Sequence, residues 1–217
     1  MKTINKMVFI SILLLLVSCN GQNKDVSSDK KKNNKMIEKF DFEEYKKRES
    51  AVHIIKKHDT VISMMLIENK IGTYTEIPPK PSFKTIYKEF YANGNIKKKE
   101  TFIGEKTKVD TSEYYDENGN VEKVDENKKF GKIKPEDALK FLETKKIINF
   151  STGKGRFLEN GQSSFEIHFD ENKKEYTIVI EEGKPNTPPF DGIGEPPAFL
   201  PLIYTMDGET GKIKELK

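Results

Sequence analysis

The sequence is poor in several residue types on which common functions depend. Its 217 residues include one cysteine, Cys19, and no tryptophan. A single cysteine near the start excludes disulfides, a thiolate nucleophile and cysteine-ligated metals from the chain that follows it. Only Arg48 and Arg156 are arginines among the 38 basic residues, and the formal net charge is +3. Since nucleic acids are bound by a basic excess and by arginine in particular, this composition argues against a nucleic-acid partner.

Long apolar runs are also absent. The longest covers residues 7–17, is interrupted only by Ser11, and follows the basic residues Lys2 and Lys6. At about 1.5 Å per residue, a helix of this length spans about 16 Å, roughly half of the ~30 Å hydrocarbon core of a bilayer. A short apolar run after a basic start is typical of a cleavable secretion signal rather than of a permanent membrane span.

The end of this run carries a recognisable pattern, Leu16-Val17-Ser18-Cys19. This pattern resembles the lipobox of bacterial lipoproteins, which has an aliphatic residue, a small residue, a glycine, alanine or serine, and then cysteine. The resemblance implies that residues 1–18 are a signal peptide, that a peptidase cuts between Ser18 and Cys19, and that the Cys19 thiol carries a diacylglycerol. Two acyl chains already give stable anchoring to a membrane.

The resemblance also implies a location. The expected chain is an anchored lipoprotein of the cell envelope, with the membrane as its partner through lipidated Cys19 and its domain outside the cytoplasm. Asn20, where an aspartate would signal inner-membrane retention, favours the outer membrane in a cell that has one. Residues 19–35 are rich in Lys, Asn and Ser and contain one aliphatic residue, Val26, so they are expected to form a flexible tether.

Residues 36–130 are expected to form a region of β-hairpins. A short helix is predicted near residues 40–47, and the β-rich runs 52–55 and 61–67 predict a hairpin. Three prolines at positions 78, 79 and 81 exclude that segment from an interior strand, because proline cannot donate to the ladder.

An internal repeat follows. Asn93-Gly94 and Asn118-Gly119 lie 25 residues apart, each preceded by two aromatic residues and followed by a charged strand. Asn-Gly between β-rich flanks predicts a hairpin with a type I′ turn. Repeated in this way, the motif resembles the MORN-type repeats of YwqK-family antitoxin proteins over residues 85–128. The resemblance implies an antiparallel meander in which each repeat adds a hairpin, and a protein partner that is neutralised by binding.

Residues 131–217 are expected to contain a helix and an antiparallel sheet. Residues 135–146 predict the helix, with Pro135 at its first position. Strands are predicted at 147–150, 156–158, 165–169 and 176–180; the last two alternate apolar and polar residues, so one face is buried. With the closing strand near residues 202–213, this order resembles a PepSY-type domain over residues 133–216. The whole chain is therefore predicted to be β-rich α+β, with antiparallel meander or hairpin sheets and one or two helices.

No catalytic residue, metal site or cofactor is predicted. His53, His58 and His168 do not form a converging ligand set. The segment most typical of a binding site is the proline-rich stretch 183–201, predicted to be a loop. Two interpretations stay open for it, a partner-binding loop or a loop that covers the core. Its apolar residues, and hence the candidate contacts, are Phe190, Ile193, Phe199 and Leu200.

These features favour a lipid-anchored, non-enzymatic binding protein of the envelope. Its most specific form is an immunity or antitoxin-like protein that neutralises a partner toxin. The alternatives are a PepSY-like domain that restrains an envelope peptidase and an enzyme that acts on envelope polymers. The first rests on the repeat resemblance, and a shared fold does not by itself determine function.

Overall fold

A computed structural model describes residues 37–186 and 197–216 of the chain. Within these residues it contains two antiparallel sheets and two α-helices, which confirms the predicted β-rich α+β class. The predicted signal peptide and tether, with Ser18 and Cys19, lie outside the described residues, as do Phe190 and Ile193. The segment Met36–Lys217 forms one compact unit.

The first sheet is a seven-stranded meander in which each strand pairs antiparallel with the next along the chain. The predicted hairpin forms its first two strands, and Pro78, Pro79 and Pro81 lie between the third and fourth, outside the ladder. The strands are β1 (Val52–Lys57), β2 (Thr60–Ile67), β3 (Ile71–Ile77), β4 (Lys84–Phe90), β5 (Ile96–Ile103), β6 (Thr107–Tyr115) and β7 (Val121–Asp125).

The two Asn-Gly turns close the hairpins β4–β5 and β6–β7, as the repeat predicts. The expected type I′ geometry is wrong, because only the glycines have a positive φ, +84° at Gly94 and +82° at Gly119. In the first turn the Gly94 amide donates to the Tyr91 carbonyl at 2.8 Å, and the Tyr91 amide donates to the Asn95 carbonyl at 2.8 Å. This pattern is a three-residue loop, a type I turn followed by a left-handed glycine.

Helix α1 (Phe42–Lys46) packs on one face of the first sheet. Asp41 Oδ1 accepts a hydrogen bond from the Glu44 amide at 2.8 Å, so Asp41 caps the helix. The helix therefore begins at Phe42, two residues later than the predicted start at residue 40. This start leaves Phe40 on the sheet, where its ring centroid lies 5.6 Å from that of Phe90 and 5.1 Å from that of Tyr74.

Helix α2 (Pro135–Thr144) connects the first sheet to the second, after a 3-10 helix at Glu126–Lys129. Pro135 takes the first helical position, and Asp137 Oδ2 accepts from the Lys134 amide at 2.9 Å. The predicted helix is thus confirmed, although it ends two residues earlier, at Thr144. Within the described residues no helix is long and apolar enough to cross a membrane.

The second sheet has four strands in the order β11-β10-β9-β8. They are β8 (Phe165–Asp170), β9 (Glu175–Pro185), β10 (Phe199–Asp207) and β11 (Ile213–Leu216). The predicted strands at 165–169 and 176–180 are confirmed. Those at 147–150 and 156–158 are wrong, since that stretch makes only isolated bridges, Asn149 to Lys154 and Phe157 to Ser163. Gly153 and Gly155, with φ of +67° and +80°, turn the chain back before a ladder can extend.

The predicted loop at 183–201 is also wrong at both of its ends. Strand β9 continues to Pro185 and β10 begins at Phe199, with Phe199 opposite Pro185 and Leu200 opposite Lys184. Phe199 and Leu200 therefore lie on a strand. Local sequence favoured a loop because proline is rare in strands, but proline is tolerated near the end of a ladder.

Two apolar cores hold the unit together. The smaller lies between α1 and the first sheet, around Phe40, Tyr74 and Phe90. The larger lies between α2 and the second sheet, and it also takes in Ile103 and Val109 of the first sheet. The β5–β6 hairpin makes this junction, since Thr107 Oγ1 donates to the Ile167 carbonyl at 2.6 Å. The predicted boundary at 130/131 falls between the two sheets, and the larger core crosses it.

Candidate functional site

The two faces of the first sheet have different environments. Side chains alternate across a strand, so Met64, Tyr74 and Phe90 point to the face covered by α1. Their chain neighbours point to the opposite face, which packs against neither helix in the described part of the chain. We call this the open face. From β1 to β5, the apolar, aromatic and hydroxyl side chains on it include those of Val52, Ile54, Met65, Ile67, Thr75, Tyr87, Thr85 and Phe102.

One end of the open face exposes a group of aliphatic side chains. Ile54 on the edge strand β1 is 65% exposed, the highest value among the large apolar residues described. Val52, Met65 and Ile67 on the same face are each more than a third exposed, and Val52 lies directly opposite Met65. Apolar patches of adjacent exposed side chains are typical of interaction surfaces.

A buried ion cluster occupies the middle of the open face. Glu100 is 4% exposed, and its Oε1 lies 2.5 Å from Lys108 Nζ and 2.9 Å from the Tyr114 hydroxyl. Burial favours the neutral carboxyl, but the hydrogen bonds from Lys108 and Tyr114 outweigh it and lower the pKa of Glu100. Glu100 therefore stays ionised at neutral pH and is suited to a structural ion pair rather than to proton transfer.

A cleft of about 390 Å³ opens where the loop at residues 157–161 approaches the open face. We call it the open-face cleft. Its apolar walls are Ile77, Phe102 and Phe157, and its polar groups include the hydroxyls of Thr75, Thr85 and Tyr87. Gly104, Glu105 and Gly161 complete the lining. An apolar cleft with a few converging polar groups is the usual form of a small-molecule site.

Arg156 lies behind this cleft and is only 8% exposed. Its Nη1 donates to the Ser82 carbonyl at 3.1 Å and its Nη2 donates to Thr85 Oγ1 at 2.7 Å. The guanidinium carbon stands 4.8 Å from the centre of the Phe157 ring. Among the described residues no carboxylate lies within ion-pair distance of it. Burial lowers the pKa of Arg156 to about 10, so it keeps its charge at neutral pH.

A second cleft, of about 500 Å³, lies between the proline segment and helix α2. Its walls are almost entirely apolar, and one of its two basic residues, Lys84, is already paired with Asp110 at 2.8 Å. The ring planes of Phe83 and Phe150 are nearly parallel beside it, with centroids 6.0 Å apart. The apolar lining consists of Pro78, Pro79, Pro81, Phe83, Ile103, Leu139 and Phe150.

The residues singled out from the sequence are not brought together at either cleft. Phe199 is exposed and Leu200 half-buried at the far end of the β9–β10 hairpin, and neither lines a cleft described above. Phe190 and Ile193 lie outside the described residues. The proposed role of these four residues in partner binding therefore stays a prediction.

The three histidines lie in separate places. His53 Nε2 is 3.0 Å from Glu44 Oε1, His58 occupies a left-handed turn position with φ of 48°, and His168 is exposed on the outer face of β8. Within residues 37–186 and 197–216 no group of three or more His, Cys, Asp or Glu side chains is arranged to hold a metal ion.

Sequence reasoning missed the residues of the open-face cleft. The sequence pattern predicted in part the strands that carry Thr75, Thr85, Tyr87 and Phe102. It did not predict which face of these strands stays open, because that depends on how distant segments pack against the sheet. The one signal in the sequence was Arg156, an arginine in a chain that otherwise uses lysine almost throughout.

Comparisons with known protein families, with curated proteins and with solved structures found no match for this chain.

Proposed function

We propose that this chain is an exported, lipid-anchored binding protein without catalytic activity, and that the open face is its surface for a protein partner. Its most specific form is an immunity-type protein that neutralises a toxin at the envelope. The observation that carries the proposal is the exposed aliphatic group Val52, Ile54, Met65 and Ile67 on one face of the first sheet.

The composition makes this patch unusual for the chain. Charged residues make up 34% of the sequence, so most of the surface is well solvated. The exposure of four large aliphatic side chains to water on adjacent strands costs roughly 25 cal/mol per Å² of apolar surface, compared with their burial. A partner that covers them recovers that energy, and apolar patches of this kind mark interfaces.

The neighbouring polar groups support binding rather than chemistry. Glu100 is held as an ionised group by Lys108 and Tyr114. The described polar groups of the open-face cleft include hydroxyls and the Glu105 carboxylate, and the Arg156 guanidinium lies behind them. Hydroxyls and an ion-paired carboxylate are suited to hydrogen bonding at neutral pH.

The proposed anchor suits a partner-binding role. If Cys19 carries the lipid, the domain is held near the bilayer, where an incoming protein would meet it at a raised effective concentration.

The experiment places a photo-activated cross-linking amino acid at position 54 and, as the matched control, at position 213. Ile213 is also exposed, at 39%, but it lies on β11 of the second sheet. In living cells we expect position 54 to capture one recurrent protein, identified by mass spectrometry, and position 213 to capture none. Met65→Lys should abolish the capture at position 54 without changing the circular dichroism spectrum.

An immunity role adds a requirement, that the captured protein harm cells which lack this chain and spare cells which express it. Capture of the same proteins from both positions, or capture unaffected by Met65→Lys, would remove the open face as the interface. A specific partner that harms no cells would leave the binding role in place and overturn the immunity role.

A second candidate is restraint of an envelope peptidase by the C-terminal half. The observation that favours it is the arrangement of α2 against the four-stranded meander β8–β11, which has the order of elements expected from the PepSY resemblance. Addition of the purified protein to envelope peptidase preparations should then slow cleavage, and unchanged rates would exclude this role. The third alternative, an enzyme on envelope polymers, has no such observation in its favour.

A further inference from the structure

The open-face cleft holds hydroxyl groups whose hydrogen-bonding capacity is not fully used by the described residues. Thr85 Oγ1 accepts a hydrogen bond from Arg156 Nη2 at 2.7 Å, so its own proton is available to another acceptor. The Thr75 and Tyr87 hydroxyls make no hydrogen bond to any described residue, and Thr75 lies directly opposite Tyr87 on the neighbouring strand. These groups line the same cleft.

Positive charge stands directly behind these donors. Arg156 is nine-tenths buried, and within the described part of the chain its partners are two neutral acceptors, the Ser82 carbonyl and Thr85 Oγ1, rather than a carboxylate. A buried charge without a counter-ion is strongly destabilising unless other groups compensate it. A negatively charged hydrogen-bond acceptor in the cleft would accept the proton of the Thr85 hydroxyl and be attracted to Arg156 behind it. This attraction is strengthened in surroundings where the effective dielectric constant is low.

The rest of the cleft selects the body of the ligand. Its walls at Ile77, Phe102 and Phe157 are apolar, and its volume of about 390 Å³ is that of a small-molecule site. Glu105 on the rim carries a negative charge that disfavours a dianion such as a phosphate monoester. A singly charged group on an apolar body fits these three properties together.

We propose that the open-face cleft binds a small amphipathic carboxylate, with its carboxylate at the Thr85 hydroxyl in front of Arg156 and its apolar body against Ile77, Phe102 and Phe157. Both proposals concern the open face, but the exposed aliphatic group lies on β1 and β2 and the cleft on β3 to β5, so each proposal is tested with its own residues. A loss of either function therefore leaves the other measurable.

The test uses decanoate as the probe and 1-decanol as its uncharged match, with both kept below the concentrations at which they aggregate. The protein is the mature chain, residues 19–217, with Cys19→Ser so that no lipid is attached. By titration calorimetry at pH 7.5 we expect decanoate to bind at least ten-fold more tightly than 1-decanol. Equal affinities, or no binding of decanoate, would overturn the proposal.

Variants of the cleft separate charge recognition from apolar contact. Thr85→Val should weaken decanoate binding at least ten-fold and leave 1-decanol binding unchanged, whereas Thr85→Ser, which keeps the hydroxyl, should preserve the preference. Glu105→Gln should strengthen decanoate binding several-fold by removing the rim charge. A Thr85→Val protein that still prefers decanoate would contradict the assigned role of the hydroxyl.

A measurement on the unsubstituted cleft covers the case in which Thr85→Val does not fold. Decanoate should shift the amide NMR signals of Thr85, Phe102 and Phe157. Shifts confined to Phe83, Leu139 and Phe150 would place the ligand in the apolar cleft at the proline segment and would overturn the proposal.

Discussion

Single side chains determine how the first sheet accommodates charge in its interior. Lys88 is buried on the α1 side, where its Nζ lies 2.6 Å from Glu38 Oε1 and 2.7 Å from Glu76 Oε1. Burial alone would lower its pKa, but the two carboxylates reverse the effect and raise it. Glu100 has the matching arrangement on the open face. Each charge is therefore retained in the ionised form, although it lies in a strand interior.

Replacement of Glu100 by Gln tests this arrangement. Lys108 and Tyr114 would lose their ionised acceptor, and we expect the free energy of unfolding at pH 7 to fall by about 2 kcal/mol. Because the folded-state pKa of Glu100 is lowered, its contribution is present above the unfolded pKa of about 4.5 and is lost as pH falls through the folded pKa. The difference between the two proteins in urea unfolding should therefore shrink from pH 7 to pH 3.

Glu122→Gln is the matched control for that experiment. Glu122 is exposed on β7 and makes no ion pair with a described residue, so its replacement should change stability by less than about 0.5 kcal/mol. A Glu100→Gln difference that stays constant between pH 7 and pH 3 would contradict the assigned ionisation.

The turn glycines offer a second test at the residue scale. Gly94 and Gly161 have nearly the same φ, +84° and +82°, but a Cβ at Gly94 would lie 3.0 Å from Phe42 Cε2, whereas nothing lies within 4 Å at Gly161. Gly161→Ala should cost about 1 kcal/mol for the left-handed backbone alone. In thermal unfolding, Gly94→Ala should lower the stability further, because the added methyl group would also crowd Phe42 of α1. Equal losses would mean that the turn and helix are not packed as described.

At the scale of elements, the β5–β6 hairpin joins the two sheets. Its tip at Gly104 approaches the Ile167 backbone so closely that a Cβ would lie 2.8 Å from the Ile167 amide nitrogen. Thr107 Oγ1 donates to the Ile167 carbonyl at 2.6 Å, and Lys106 forms an ion pair with Glu166. The β5–β6 hairpin of the first sheet thus lies beside β8, an edge strand of the second sheet. This contact protects β8 from pairing with another chain.

Thr107→Val should weaken this junction. Valine has nearly the same shape but cannot donate to the Ile167 carbonyl, and a buried acceptor without its donor costs about 1–3 kcal/mol. Thr111→Val, on the same strand but exposed, is the control and should change stability little. Hydrogen exchange should show the additional opening at β8 in Thr107→Val; protection at β8 equal to that of the natural sequence would argue against the junction.

At the scale of the whole molecule, the larger core decides how many folding units there are. It contains Ile103 and Val109 from the first sheet together with Leu139 of α2 and Tyr176 of β9. Residues on both sides of the predicted 130/131 boundary therefore bury each other, and the boundary does not separate two independent cores.

We expect a protein of residues 19–217 to unfold in one cooperative transition. Circular dichroism and tyrosine fluorescence should give coincident curves in urea, since loss of either half exposes the shared core. Leu139→Ala should shift the whole curve, by about 2–5 kcal/mol. Two separated transitions, only one of which responds to this substitution, would show that the sheets fold independently.

The proposed anchor is tested on the whole protein in its cell. Cys19→Ser should abolish incorporation of radiolabelled palmitate and move the protein out of the membrane fraction. Ser28→Ala, in the same segment, should change neither result. Palmitate incorporation that persists in Cys19→Ser would remove the lipid anchor and the envelope location inferred from it.

Local patterns were sufficient for much of the architecture. The period-two alternation at Phe165, Ile167 and Phe169 predicted β8 and its buried face, and Pro135 with the following acids predicted the start of α2. The same reasoning failed at residues 147–150 and 156–158. Apolar runs there resembled strands, but a strand also requires a partner in register, and the left-handed glycines between them prevent one from forming.

The amino-acid sequence by itself determined the fold class, the hairpins at the two Asn-Gly turns and the pattern of buried strand faces, because each of these follows from the conformational preferences of adjacent residues. Only the tertiary structure decided which face of the first sheet packs against neither described helix and that Arg156 reaches Thr85, 71 positions earlier in the chain. Contacts across such a separation depend on how both sheets pack around a shared core, and no short stretch of the sequence encodes that packing.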